Sequence, residues 1–440
     1  MRMSYLKKTD PVIAELIHQE QKREEDGLEM IPSENMASFA VLEALGSVLT
    51  NKYSEGYPGV RYYGGNDVID EIETLAQERA KALFGVPYAN VQPYSGSPAN
   101  FAVYLATCEA GDTTLGQALF DGGHLTHGWK HHASSKFFKT IGYHVTEDGC
   151  IDIEEVERLA KEHRPKLIWI GATAYPRALP FREFAKIADL VGAYLVAGMA
   201  HIAGLVAAGV HESPVPFVHI VTTTTHKTLR GPRGGMILVT QKGLKKDPNL
   251  ATKIDKAIIP GSQGGPHNHQ VAATAVALKE ASTAAFRRYG KQVVQNAAVL
   301  AEELSRRGLE LVSGGTDNHL LLIRCGDGRG ALLETALDAA GITVNKNSVP
   351  HEPSSAFYPS GIRLGTPFIT SRGMKAREMK SIARWIAEVF QALESDQLPG
   401  ETSGRKKFLM DFSESVKQRP EIVRVRREVR SLCKKFPMYR

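Results

Sequence analysis

At 440 residues the chain is too long for one hydrophobic core, and its 42% hydrophobic and 23% charged content excludes a disordered or fibrous protein. Four cysteines (Cys108, Cys150, Cys325, Cys433) without CxxC spacing argue against a disulfide framework and a zinc site. The formal charge of +6 is unevenly placed: from Arg405 onward 12 Lys or Arg face 4 Asp or Glu, a net +8, leaving −2 for residues 1–404.

The N-terminal stretch has no apolar h-region and no small-residue cleavage site, so no secretory signal, no membrane span and a cytoplasmic location are expected. Residues 1–30 read as a helical arm, with a helix over Pro11–Glu25, followed by a loop holding IPSEN (Ile31–Asn35). Val68–Phe84 carries Ile69, Ile72, Leu75, Ala76 and Leu83 on one helical face and stops before Gly85. Apolar runs at Ala89–Gln92, Lys166–Gly171, Tyr194–Ala197 and His219–Thr223 read as buried strands, with helices such as Phe181–Val191 between some of them. Strands alternating with helices predict an α/β domain over residues 31–280, with a largely parallel sheet and its ligand at the strands' carboxyl ends. After residue 280 a helix (Tyr289–Arg307), a strand (His319–Arg324) and two helices (Ala331–Ala340, Ala376–Leu393) predict a smaller α+β domain over 281–440. The basic tail could bind RNA or another polyanion. However, it lacks interleaved aromatics, and Val423, Val425, Val429 and Leu432 give it an apolar side, so a solvated amphipathic helix is expected.

Four segments carry chemistry. In YSGSPAN (Tyr94–Asn100), Ser95, Gly96 and Ser97 would present hydroxyls and backbone N–H groups to an anion at a helix start, with Ser97 as N-cap and Pro98 at the first helical position. In DGGHLTHG (Asp121–Gly128), a histidine after two glycines can lie flat on an aromatic cofactor; a satisfied loop or core residue is the alternative for either histidine. In VTTTTHKTLRGPRGG (Val221–Gly235), Lys227 leaves a strand end into a polar pocket where burial and nearby positive charge favour the neutral amine, with Arg233 and the glycines ordering the turn behind it. Met236–Thr240 follows as a second apolar strand. In SGIRLGTP (Ser360–Pro367), Arg363 sits among apolar residues, where its planar fork fits a carboxylate; a structural ion pair is the alternative. An anion cradle together with a reactive lysine suits a phosphorylated aldehyde.

Together these segments resemble the serine hydroxymethyltransferase family. The resemblance extends through SVLTNKYSEGYPGVRYYGG (Ser47–Gly65), AYPR (Ala174–Arg177), MAHIAGLVAAG (Met199–Gly209), QGGP (Gln263–Pro266), VSGGTDNHL (Val312–Leu320) and ITVNKN (Ile342–Asn347). It implies a fold-type-I, pyridoxal-phosphate-dependent enzyme that interconverts serine and glycine with tetrahydrofolate, built as a dimer or a dimer of dimers with shared active sites. By position, Lys227 would hold the cofactor as a Schiff base and His124 would stack on its ring. Ser95, Gly96 and Ser97 would hold the phosphate, joined by Tyr53 and by Gly264 and Gly265 of the neighbouring subunit. Arg363 and Ser33 would bind the substrate carboxylate with Tyr63 from the partner chain, and Glu55, also from the partner, would be the acid–base group. His201 and Thr173 would lie near the phenolic oxygen and His226 beside the lysine, while Leu119, Leu125 and Asn347 would meet the folate.

The main departure is Gly198, where the family has an aspartate immediately before MAH. That aspartate pairs with the protonated pyridine nitrogen; Asp121 is a weak candidate to replace it. Tyr94, Pro98 and Thr173 stand where histidine, glutamine and serine are usual, and Trp129–Phe138 also differs from many members. Three readings follow: a hydroxymethyltransferase with an altered cofactor environment, a folate-independent aldolase or transferase using the same cofactor, or a weakly active or inactive paralogue.

Overall fold

The computed structural model describes residues 4–439. Seven strands form its larger sheet: β1 (Tyr88–Asn90), β2 (Thr113–Gln117), β3 (Lys139–Tyr143), β4 (Leu167–Ile170), β5 (Tyr194–Gly198), β6 (Ile220–Thr224) and β7 (Gly235–Val239), in the order β1-β7-β6-β5-β4-β2-β3. Pairing is parallel from β3 through β6, while β7 runs antiparallel to both β6 and β1. The inner strands β4, β6 and β7 are buried at every position, as expected where both faces are covered. The sequence missed β2 and β3 because TTLGQ and KTIGY lack a continuous apolar run.

The helices around this sheet start and stop for local reasons. Helix α1 (Pro11–Asp26) is capped by Asp10, whose carboxylate accepts from the Ile13 N–H, and has proline in its first turn. Helix α2 (Asp67–Phe84) has Asp67 and Asp70 in its first turn and ends at Gly85, whose φ of 67° lets its N–H reach the Lys81 carbonyl. Helix α3 (Gly96–Thr107) begins two residues earlier than expected: Ser95, not Ser97, is the N-cap residue, and its side chain makes no capping hydrogen bond. Helix α4 (Phe181–Val191) matches the sequence reading, and Gly192 ends it in the left-handed region.

A second sheet of β8 (Glu310–Leu311), β9 (Leu320–Arg324), β10 (Asn345–Asn347) and β11 (Gly361–Gly365) runs β8-β9-β11-β10 and is wholly antiparallel. Its core takes side chains from α5 (Ala284–Arg306), α6 (Gly330–Ala339), α7 (Ala376–Ala392), α8 (Thr402–Val416) and α9 (Pro420–Cys433). Leu28 and Met30 join the same core, because Leu28–Glu29 pairs in parallel with Ile342–Thr343. The buried Arg372 fastens both chain ends: its guanidinium donates to carbonyls of Glu24, Glu25 and Gly27 on one side and of Cys433 and Phe436 on the other.

The basic tail is structural. Ile422, Val425, Val429 and Cys433 recur at helical spacing and are buried, whereas Val423 points outward at 43% exposure, contrary to the sequence reading. Three of its arginines are in ion pairs: Arg419 with Asp396, Arg424 with Glu388 and Glu428, and Arg430 with Asp26. Among the described residues no helix is long and apolar enough to cross a membrane.

Candidate active site

The carboxyl ends of β4, β5 and β6, the loop after β2 and the start of α3 line a cleft with a cavity volume of about 140 Å³. Ser33, Gly96, His124, Thr173, Gly198, His201, Lys227 and Arg363 line it, all of them singled out by the sequence. Asn100 and His127 line it as well, and no motif assigned them a role. Two cations and no carboxylate are on its walls, which suits an anionic ligand.

Lys227 follows β6, and its Nζ donates to Thr224 Oγ1 at 3.1 Å. Burial, then the charges of Arg363 and Arg233, lower its pKa from an ordinary 10.5 to about 8. Asn35 fixes the turn that carries it, donating to the Lys227 carbonyl at 2.9 Å and meeting Tyr289 Oη at 2.7 Å. Behind the lysine, the loop is closed by Thr225: its hydroxyl donates to the Pro232 carbonyl, and its own carbonyl accepts from the Gly231 N–H at 2.7 Å. Arg233 is exposed there, so Thr225 and the glycines order the turn rather than Arg233.

Arg363 projects from β11 and is buried. It donates to Asn345 Oδ1 at 3.0 Å and to the Thr173 carbonyl at 2.6 Å. No carboxylate among the described residues forms an ion pair with it; burial lowers its pKa to about 10, opposed by the more distant charge of Glu34. A buried guanidinium bound only to neutral oxygens retains its affinity for an anion. Ser33 reaches the same corner because the Gly365 N–H donates to the Met30 carbonyl, tying the IPSEN loop to β11.

His124 is delivered by the two glycines before it. Gly122 has φ +94°, and a Cβ there would stand 2.5 Å from the Ala174 carbonyl oxygen; a Cβ on Gly123 would collide with the Gln117 carbonyl. The Thr126 N–H donates to His124 Nδ1 at 3.3 Å, which makes that nitrogen an acceptor; Thr126 Oγ1, which accepts from Asn100 at 2.8 Å, lies 2.7 Å from the same nitrogen. The His124 Nε2 therefore carries the proton, and burial, then Lys227, lowers the ring's pKa to about 4. His201 Nδ1 lies 3.2 Å from His319 Nε2, and burial keeps both rings neutral. His226 adjoins the lysine in sequence without lining the cleft; its Nδ1 is buried and has no partner. Asp121 is occupied elsewhere, 2.6 Å from His144 Nδ1, and does not line the cleft.

Another group of expected residues gathers away from the lysine. Tyr53 Oη donates to Glu55 Oε1 at 3.2 Å, and the Tyr53 and Tyr63 rings meet edge to face at 5.0 Å. Gly264 and Gly265 pack on Glu55 and Tyr53, and Tyr94 Oη donates to the Gly265 carbonyl at 2.8 Å. Tyr53 and Tyr63 are about half exposed on this surface, and none of the five residues lines the Lys227 cleft of the same chain. Leu119 and Leu125 lie in short 3-10 turns flanking Gly122–His124, and Asn347 ends β10 with its amide donating to the Ser348 carbonyl.

The cleft's chemistry fits a phosphorylated aromatic aldehyde. A lysine held close to neutrality can capture the aldehyde, the start of α3 faces the cleft to receive a phosphate, and the buried nitrogens of His127 lack a partner. With the mostly parallel sheet, these features place the protein among the fold-type-I enzymes that use pyridoxal phosphate. A family model for serine hydroxymethyltransferase matches residues 6–386. The serine hydroxymethyltransferase of Acidothermus cellulolyticus is 54% identical over 438 residues, covering 99% of this chain and 97% of the relative. That of Sorangium cellulosum is 53% identical over 435 residues, covering 98% and 96%. The chain belongs to the serine hydroxymethyltransferase family.

Proposed function

We propose that this protein interconverts serine and glycine, with pyridoxal phosphate as cofactor and tetrahydrofolate as the one-carbon acceptor. The observation that carries the reading is the opposition, across one cleft without carboxylates, of a lysine with a pKa near 8 and an unpaired buried guanidinium. When bound, the cofactor supplies an aldehyde for the amino group and a ring that accepts the electrons of a bond broken at Cα. Lys227 holds it, His124 lies on its ring, and Ser95, Gly96 and Ser97 hold its phosphate. Thr173 and His201 flank the phenolic oxygen, and His226 supports the lysine from behind. Arg363 and Ser33 bind the amino acid carboxylate, which fixes the orientation of the bonds at Cα. Residues 31–280 form the cofactor domain and residues 281–440 the small domain that supplies Arg363.

Tyr53, Glu55, Tyr63, Gly264 and Gly265 serve the cleft of a second copy, in a homodimer or a dimer of dimers. Their grouping away from their own Lys227, on a surface with half-exposed tyrosines, supports this. Glu55 then moves the proton at the serine hydroxyl, and Leu119, Leu125 and Asn347 contact the folate. The reaction's substrates are water-soluble, consistent with a cytoplasmic enzyme.

Gly198 stands where the family's aspartate would meet the pyridine nitrogen, so that nitrogen lacks a carboxylate. A loss of about 3 kcal/mol in the carbanionic transition state would slow the reaction roughly a hundredfold. This position also favours a second reading, a folate-independent aldolase, since a weaker electron sink still permits cleavage between Cα and Cβ. The test is direct. The purified, cofactor-loaded protein should show a near-visible band that borohydride abolishes, and should form glycine from serine much faster with tetrahydrofolate than without. No band would refute both enzyme readings; cleavage indifferent to folate would select the second. Gly198→Asp should raise the rate about a hundredfold, and no gain would overturn the account of this position.

A further inference from the structure

Position 198 leaves more than a missing charge. Gly198 ends β5 at the cleft, and an ideal Cβ built on it would stand 3.3 Å from Nε2 and 3.4 Å from Cε1 of His127. The Nε2 edge of this imidazole therefore lies against the space that any side chain at 198 would fill. His127 is 4% exposed, and neither ring nitrogen has a hydrogen-bond partner. Its ring is held flat against Trp169, with centroids 4.7 Å apart and 13° between planes, and lies 5.6 Å from the His124 ring. The imidazole cannot turn away without giving up that stacking. Its backbone is also fixed, with the His127 N–H donating to the His124 carbonyl at 2.8 Å.

A buried imidazole with no partner for either nitrogen costs stability unless a ligand or water meets it. The groups facing it from the packed elements are Trp169, the imidazoles of His124 and His132, and the end of β5 at Gly198, and none of them is a carboxylate. Burial holds the ring in its neutral form. Neutral imidazole offers one N–H donor and one acceptor, the complement of an unprotonated pyridine nitrogen, which only accepts.

We propose that His127 donates a hydrogen bond from Nε2, across the gap left by Gly198 and through at most one water molecule, to the pyridine nitrogen of the bound cofactor. This rests on the cofactor reading given above and goes beyond it: the ring is held by a neutral donor, so its nitrogen stays unprotonated. No proton changes hands. His127 is a cofactor-binding residue in this chain, and the electron sink is weakened without being left unsupported.

The experiment uses the cofactor-loaded protein with 15N in the pyridine ring. The parent chain should give the resonance of a hydrogen-bonded but unprotonated nitrogen. His127→Phe, which keeps a flat ring against Trp169, should move it toward a free pyridine nitrogen and weaken cofactor binding about three- to tenfold. His127→Gln, which restores an N–H donor, should recover part of both. Gly198→Asp should move the resonance to that of a protonated nitrogen. If His127→Phe proves misfolded by circular dichroism, 15N-histidine labelling of the parent settles the matter: the His127 Nε2 resonance should shift when the cofactor binds. An unchanged resonance in either experiment, or a protonated nitrogen in the parent, overturns the proposal. A missing borohydride-sensitive band would instead overturn the cofactor reading, and this proposal with it.

Discussion

Lys227 shows how much one residue's surroundings can do. With a pKa near 8, about a quarter of the amine is neutral at pH 7.5, against roughly 0.1% for an exposed lysine of pKa 10.5. Recapture of the cofactor aldehyde by cofactor-free protein should therefore accelerate as pH rises, with a midpoint near 8, as followed by stopped-flow absorbance. Arg363 adds repulsion that favours the neutral amine, so Arg363→Gln should move the midpoint upward; because burial is the larger cause, the midpoint should stay below 10.5. A midpoint at 10.5 in the parent chain would show that the lysine is not held as described.

At the scale of elements, the last helix illustrates what a charge run is for. Glu428 accepts from Arg384 at 2.7 Å, Trp385 at 2.8 Å and Arg424 at 3.1 Å, joining α9 to α7. These contacts, Arg384 first, lower its carboxyl pKa to about 2. The folded-state pKa lies below the unfolded one, so the stabilisation is present above about pH 4.5 and disappears as pH falls toward 2. Glu428→Gln should cost about 1 kcal/mol at pH 7, given how exposed the network is, and much less at pH 3. Thermal unfolding at the two pH values measures this, and an equal loss at both would remove the charge argument.

The helices readable from sequence were those with a one-sided apolar stripe and a glycine stop, such as Phe181–Val191. Those that went unread, such as the helix over Asn268–Ala281, are rich in small residues and buried on several sides, which erases the period. The candidate site was readable wherever a motif concentrates unusual residues, as around Lys227 and Arg363. His127 was not: only the fold brings the loop after β2 against the end of β5, and only coordinates show that its nitrogens lack partners. In the tail the apolar side of the helix was readable, but the acidic partners of three of its arginines, Asp26, Glu388 and Asp396, were not, since they lie far away in sequence.

For the whole molecule, the separation of Glu55 from its own Lys227 makes a quantitative prediction. Lys227→Ala and Glu55→Gln should each be nearly inactive alone. Unfolded together and refolded as a mixture, they should recover up to about a quarter of parental activity, since half the dimers are mixed and each mixed dimer holds one intact site. Additive residual activity and no more would mean that each chain completes its own site. The union of the chain's two ends has a consequence for synthesis. Ser33 is placed by contacts with β11 and by the pairing of Leu28–Glu29 with Ile342–Thr343, so a nascent chain leaving the ribosome holds Ser33 for some 300 residues before its docking surface exists. Loop closure over that separation is slow compared with local folding, and the sheet that carries Lys227 is fully synthesised well before it occurs. The carboxylate corner beside Arg363 is therefore the last part of the cleft to assemble during translation.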